Sequence, residues 1–327
     1  MSISDKNKKF SKLAALFVLL LFAIWFLSSK DMIATESHIF EVKKGSSMGS
    51  IAQELSNKGL IKSELFFTSF SKFLNANKKL KSGYYEILPG TSVWTFIDKI
   101  STGSVLSTKV TLIEGKTIKF YFNQLTNDPS IKPSGSLKEV MTSIGINEPY
   151  DGWFFPETYS FNYGESLENV LKRAHQELMK NLIVLWDQRD KGLPLKSPYE
   201  AIILASLIEN ETALDDEKSL IAGVFIRRLN EGMRLQTDPT VIYALGDAYS
   251  PPLKKSDLRI NSLYNTYRNK GLPPGAISSV GYQSLFAALH PSSNTDLYFV
   301  SKKDGSHAFA PNYEKHKENI KKYLNNN

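Results

Sequence analysis

The sequence predicts an α+β protein with a single N-terminal apolar helix, a small α+β module and a larger mixed α+β domain. Three observations carry this reading. An unbroken apolar run from Leu13 to Leu27 stands near the start, flanked by lysines. Short strands and capped helices alternate from His38 to Ser104. Longer helical patterns dominate from Leu167 to Asn230, and a strand–turn–strand pattern follows near the end. A chain of 327 residues is long for one domain and suggests two folded units after the apolar run. Its 42% hydrophobic content supports cores of useful size.

The apolar run follows Lys6, Lys8, Lys9 and Lys12. From Lys12 to Lys30 a helix would be about 28 Å long at ~1.5 Å per residue. That roughly matches a ~30 Å hydrocarbon core with the end lysines snorkelling. A cleaved signal peptide is the competing reading, but no A-x-A spacing follows the run and LSSKD is a poor cleavage site. The expectation is a transmembrane anchor at 12–30 with a cytoplasmic tail at 1–11, set by the lysine excess. The chain after Lys30 then lies outside the inner, cytoplasmic membrane.

The small module spans 38–104. HIFEV opens it as a strand, and Ser46 or Ser47 caps a helix in which Ile51 and Leu55 are four apart. Leu60 to Phe73 reads as a second helix, GYYEI (Gly83 to Ile87) as a strand, and Ser92 to Ile100 as a third helix. Strand, Gly-x-Ser and helix occur twice, a weak internal repeat. The module resembles a LysM-type unit, which implies a grip on N-acetylglucosamine-containing glycans; a spacer that touches no sugar fits the same residues.

In 105–327, Val110 to Ile113 reads as a strand, Lys116 to Leu125 as a helix, and Asn127 to Ser136 as a loop. Leu167 to Asp190 and Tyr199 to Thr212 are helical, and Asp215 or Asp216 caps a helix that runs to Asn230. Ser284 to Leu289 is a short helix, LYFV and HAF (His307 to Phe309) form a hairpin, and HAFAPNYEKH is a C-terminal loop with two histidines.

The absence of cysteine excludes disulfides and thiolate metal sites. The net charge of +7 is spread without a basic stripe interleaved with aromatics, so nucleic acid is not expected as a partner. The five histidines lack metal-ligand spacing, and G-x-S-x-G, Walker and dinucleotide patterns are missing. No metal and no cofactor are expected.

The helix around Ile202 to Ala213 carries the chemistry. Six of the seven residues from Ile202 to Ile208 are apolar, and the helix ends on Glu209 and Glu211. Burial disfavours a charged carboxylate, and the negative end of a helix acts the same way. A carboxyl protonated near neutral pH is what a general acid requires. Residues two apart point to different faces, so Glu211 and Glu209 have different surroundings. Both also fit solvated helix-end charges, because Asp215, Asp216 and Glu217 follow.

Four segments surround this helix with polar and aromatic groups. DGWFFPETY brings Trp153 and Glu157, suited to sugar faces and hydroxyls or to a core aromatic cluster. LQTDPTVIYALG sets Gln236, Thr237 and Asp238 in a polar elbow, where Asp238 also fits a helix cap before Pro239. SLYNTYRNKGLPPGAI supplies Tyr264, Asn265 and Thr266 before a rigid turn, and HAFAPNYEKH closes the set.

Together with GWFFPET, ASLIENETA, RLQTDPTVIYALG, YNTY, GLPPGAI, AAxHP, LYFV and HAF, the chain resembles the endolytic murein transglycosylases, the YceG-like family. The resemblance covers nearly the whole chain; Asn210 between the glutamates departs from the family's usual basic residue. It implies cleavage of the β-1,4 bond between N-acetylmuramic acid and N-acetylglucosamine, giving 1,6-anhydromuramic ends without water. It implies Glu211 as the catalytic residue, Glu209 in a supporting role, and a substrate cleft of Trp153, Glu157, Gln236, Asp238, Tyr264, Asn265 and Thr266. Peptidoglycan strands are the expected partner, with membrane-bound synthases beside them. A hydrolytic muramidase with Asp238 or Glu157 as second carboxylate, and a non-catalytic glycan-binding scaffold, are the rival readings.

Overall fold

The structure, a computed structural model, describes residues 3–324, without the side chains of 3–14 and 28. The lysine side chains from Lys6 to Lys12 and the polar tail Asn325 to Asn327 lie outside the described residues. The chain divides into two compact units, Met1–Thr108 with Ser160–Gly164, and Lys109–Tyr159 with Glu165–Asn327.

The first unit begins with helix α1 (Ile3–Ser29), whose described side chains start at Ala15. Among the described residues no helix is long and apolar enough to cross a membrane. Strand β1 (His38–Val42), helices α2 (Met48–Asn57) and α3 (Glu64–Phe73), strand β2 (Gly83–Ile87) and helix α4 (Val93–Thr102) follow. β1 and β2 pair antiparallel with Phe40 opposite Tyr85. Strand alternation buries Phe40, Val42, Tyr85 and Ile87 on one face. Ser47, Ser63 and Ser92 each cap a helix by accepting a bond from a first-turn N–H. The Ser63 cap starts α3 at Glu64, so Leu60 and Ile61, expected within the helix, are buried in the preceding link.

Strand β3 (Ser107–Thr111) pairs with β5 (Thr158–Asn162). Between them lie α5 (Ile118–Thr126), β4 (Ile131–Lys132) and α6 (Leu137–Ile144). Helix α6 was not expected from the sequence, although its capping box is written there as Ser136 and Glu139. After β6 (Glu165–Ser166), which pairs with β4, comes the long helix α7 (Leu167–Asp187). Helix α8 (Pro198–Glu211) follows, with Ser197 as cap and every residue from Ala201 to Ile208 buried. Around it pack α9 (Asp215–Asn230), α10 (Asp238–Leu245) and α11 (Tyr282–Leu289), as does α7. A helix buried on all sides needs apolar residues all round, which explains the unbroken run from Ile202 to Leu204.

Close approach to α8 also dictates a glycine. Gly152 has φ +86°, and a Cβ there would fall 2.5 Å from Ala276 Cβ and 2.7 Å from Ile202 Cγ2.

Hairpin β7 (Tyr298–Ser301) and β8 (His307–Ala310) pairs as expected, and α12 (Tyr313–Tyr323) follows. The expected loop from His307 to His316 is therefore corrected to a strand and a helix, the latter capped by Asn312. Two capping expectations are also corrected. Leu214 occupies the cap position of α9, leaving Asp215, Asp216 and Glu217 in its first turn, where negative charge meets the positive helix end. Thr237 occupies that position in α10, with Asp238 inside the helix.

Candidate active site

Helix α8 carries an apolar side chain at almost every buried turn and ends on Glu211, so its last residue emerges from the core at a surface depression. Glu211 is partly buried. Burial drives its carboxyl up to about 7. The Thr237 hydroxyl, which donates a hydrogen bond to Glu211 Oε1, opposes that rise. Next in size, the charge of Asp238 adds to it and the Arg228 guanidinium works against it. A carboxyl poised there holds a proton for a substrate and can take one back near neutrality.

Two clefts meet at Glu211. One, of about 510 Å³, is lined by Glu211, Arg228, Gln236, Asp238, Tyr267 and the aromatic wall of Tyr298, Phe299 and Tyr313. The other, of about 560 Å³, is lined by Glu211 together with Glu114, Lys116, Glu209, Asn210 and Lys218. Glu211 lines both.

Buried threonines hold the group behind Glu211. Thr237 N–H donates to Thr266 Oγ1 at 3.0 Å, Thr240 Oγ1 donates to the Thr237 carbonyl at 2.7 Å, and the Thr240 and Thr266 hydroxyls are 2.9 Å apart. Just before Thr237, Gln236 adopts φ +53°, a left-handed conformation uncommon outside glycine. Its N–H donates to the Thr266 carbonyl at 3.2 Å, so the Tyr264 to Tyr267 segment holds the elbow in that shape.

Arg228 is buried under the first cleft. It donates to the carbonyls of Leu297 and Leu235 at 2.7 Å each and lies 5.1 Å from the Tyr298 ring centre. Tyr298 stacks on the His316 ring at 5.1 Å on α12. Burial, then the charge of Arg228, holds His316 below the usual histidine range. At the same cleft, Tyr267 OH donates to Asp238 Oδ1, and His307 is fastened by Glu217 through both its N–H and its ring.

Glu209 turns into the other cleft. Its Oε2 accepts the Gly281 N–H at 3.0 Å and its Oε1 lies 3.8 Å from Lys218 Nζ. Lys218, buried, also pairs with Asp215 at 3.0 Å. Burial and then the Glu209 charge raise Glu114 in the same place.

The residues expected to form the cleft separate into groups. Gln236 and Asp238 line it beside Glu211, and Thr266 supports it from behind through Thr237. Asn265 is buried, its amide donating to the carbonyls of Leu258 and Ile260, so it shapes the loop that carries Thr266 and Tyr267. Trp153 stacks flat on Tyr199 at 4.6 Å and donates to the Pro149 carbonyl. Tyr264 packs 4.8 Å from Tyr243 beside Asp151, in a separate depression of about 510 Å³. Glu157 is exposed and accepts the Thr158 N–H. Sequence reasoning named Thr237 in the polar elbow but gave no place in the cleft to Thr237, Tyr267, Arg228 or the aromatic wall. Thr237, Tyr267, Tyr298 and Phe299 lie inside motifs already quoted, so their signal was present; Arg228 joins the site only through folding.

Among the described residues no cluster of histidine and carboxylate groups is arranged to hold a metal ion. The YceG-like family model matches residues 40–322. An endolytic murein transglycosylase of Bacillus subtilis is 31% identical over 309 residues, covering 86% of this chain and 84% of that protein. A protein of the same name from Streptococcus pneumoniae R6 is 28% identical over 323 residues and 87% of this chain, which spans 58% of that relative's length. Among solved structures, a YceG-like protein of Listeria monocytogenes is similar at TM-score 0.54 and 28% identity, over 87% of this chain and 99% of that one.

Proposed function

Because the chain belongs to the YceG-like family, we infer that it is an endolytic lytic transglycosylase of peptidoglycan with Glu211 as its catalytic acid and base. One observation carries the assignment of the residue: the Glu211 carboxyl, pushed up to about 7 by burial, stands where two clefts meet. A glycan lying through both would place an internal bond at this carboxyl.

Glu211 first gives its proton to the glycosidic oxygen, which leaves with the N-acetylglucosamine side. The bond from that oxygen to the muramic anomeric carbon breaks, and positive charge develops on the ring. The muramic C6 hydroxyl then attacks the anomeric carbon, and the carboxylate of Glu211 accepts its proton. The product is a 1,6-anhydro ring, no water is consumed, and Glu211 ends protonated as it began. Thr237 holds one carboxyl oxygen, leaving the other for substrate. Gln236, Asp238 and Tyr267 contact the sugars in the first cleft, and Tyr298 and Tyr313 offer ring faces to pyranose C–H groups. Trp153, Glu157, Tyr264 and Asn265 complete the set proposed for substrate, with Asn265 acting through the loop it shapes. Glu209 supports the Gly281 loop.

The first unit acts as a LysM-like glycan grip, and α1 anchors the chain in the inner membrane with its N-terminus cytoplasmic and the rest outside, beside peptidoglycan synthases. The support for the anchor is the lysine-flanked run from Leu13 to Leu27.

The test is incubation of the full chain with nascent, uncrosslinked glycan strands followed by mass analysis. Anhydro ends are expected, lighter than hydrolysed ends by one water, and Glu211→Gln should lower the rate by ~10²–10⁴-fold. A second reading, a water-using muramidase, draws on Asp238 sharing the cleft with Glu211; hydrolysed ends would establish it instead.

A further inference from the structure

We propose that an aromatic shoulder on the first unit lies in the headgroup layer of the phospholipid bilayer, beside the point where α1 leaves it. The proposal rests on the reading of α1 as a membrane anchor. It adds a surface outside α1 that the anchor does not itself require.

The shoulder is a continuous chain of rings. Trp25 and Phe26 of α1 meet Phe66 edge-on at 5.0 and 5.7 Å. Phe66 stacks on Phe70 at 5.4 Å, and Phe70 stacks on Phe73 at 6.3 Å and meets Trp94 at 5.8 Å. Phe22, Trp25, Phe26, Phe66, Phe70 and Phe73 also enclose an almost wholly apolar depression of about 320 Å³. Phe73, at its edge, is 77% exposed, and Trp94, which meets Phe70 outside it, is 52% exposed. Large apolar side chains grouped this way on a folded unit mark a surface that something covers.

Continuity with α1 identifies the cover. The helix exposes Leu16, Phe17, Val18 and Leu19 in succession, which at ~100° per residue point to all sides, so a partner on one face would leave the others wet. Lipid covers them all. The shoulder begins at the last turns of that helix, where tryptophan and other aromatic rings favour the membrane–water boundary. The polar residues around it suit the same place. Lys72 precedes Phe73 on α3, Lys62 stands just ahead of that helix, and Lys79 lines a depression shared with Trp94; all three are exposed. Ammonium groups at that depth meet anionic phosphates.

The chain contains no cysteine, so single cysteines can be placed and labelled with an environment-sensitive fluorophore. The full chain is reconstituted in phosphatidylethanolamine–phosphatidylglycerol vesicles with labels at Phe73→Cys, Trp94→Cys, Leu20→Cys or Asp304→Cys. Lipids carrying a nitroxide at the headgroup, or deep in the acyl chain, serve as quenchers. The expected result is quenching of 73 and 94 by headgroup nitroxide, of 20 by acyl-chain nitroxide, and of 304 by neither. Quenching at 20 with none at 73 or 94 overturns the shoulder while leaving the anchor. No quenching at 20 overturns the anchor and the shoulder with it. Self-quenching between labels at 73, without lipid quenching, assigns the surface to a second copy of the chain and overturns the proposal.

Discussion

At Glu211 the balance of four effects sets where the carboxyl titrates. Burial raises the carboxyl, Thr237 holds it down by donating a hydrogen bond, Asp238 raises it and Arg228 lowers it, with the sum at about 7. Thr237→Val removes the largest opposing effect, so the acid should titrate higher. The alkaline limb of the kcat/KM profile should move to higher pH, and Thr237→Ser, which keeps the hydroxyl, should restore it. A profile unmoved by the valine would show that Thr237 only fills space. The same shift has a consequence for stability. A carboxyl raised from 4.5 to about 7 in the folded state favours folding fully only below about 4.5, and that contribution is lost as pH rises through about 7. At ~1.4 kcal/mol per unit the loss is ~3 kcal/mol. Glu211→Gln cannot ionise, so it should be more stable than the parent at pH 8 and little different at pH 4, measured by urea unfolding at both. The raised acid was legible in the sequence, because the apolar run from Ile202 to Ile208 announces a buried helix end. Its partner was not, because Thr237 lies 26 positions away and only the fold brings it to Glu211.

Between elements, the clearest device is Asp151. It is buried, accepting the Ile118 N–H at the start of α5 and the Tyr243 hydroxyl of α10, both at 2.7 Å. It thereby ties two helices, one of which begins beside Glu211 with Asp238. Asp151→Ala leaves a buried N–H and a hydroxyl without a partner, which costs ~3 kcal/mol. In a unit of this size that lowers Tm by roughly 6–12 °C, read by differential scanning calorimetry. A drop of a degree or less would mean the helices are held otherwise. How far such elements could be read in advance depended on how local their cause is. Strands β1 and β2 stand where alternation put them, and Ser47, Ser92 and Ser197 cap helices through bonds to residues three positions on. Helix α12 leaves no helical signal in the sequence, and its first turns fall in the loop expected up to His316, because the pattern from Tyr313 to Tyr323 is almost wholly polar and buries no residue. Its place comes from packing on the β7–β8 hairpin, a contact no local pattern shows.

For the molecule as a whole, the proposed assignment of Glu211 makes the geometry around it decide where along a strand cleavage falls. An enzyme that trims ends needs a wall just past the catalytic group, so that one sugar pair fits and the rest of the strand stays outside. Here Glu211 lines clefts of about 510 and 560 Å³, and both are open rather than enclosed. The aromatic wall of Tyr298, Phe299 and Tyr313 stands along the first, and Glu114, Glu209 and Lys218 along the second. On the proposed assignment of Glu211, sugars would continue past the cleaved bond in both directions, and binding energy from both sides would be available to hold the reacting ring. Strands labelled at one end should accordingly yield labelled fragments of many lengths within the first few per cent of turnover. Tyr298→Ala should raise KM more than it lowers kcat, because the ring contributes contact on one side and no proton. Successive loss of one disaccharide at a time from the labelled end, with no intermediate fragments, would mean that one of the two clefts never holds glycan.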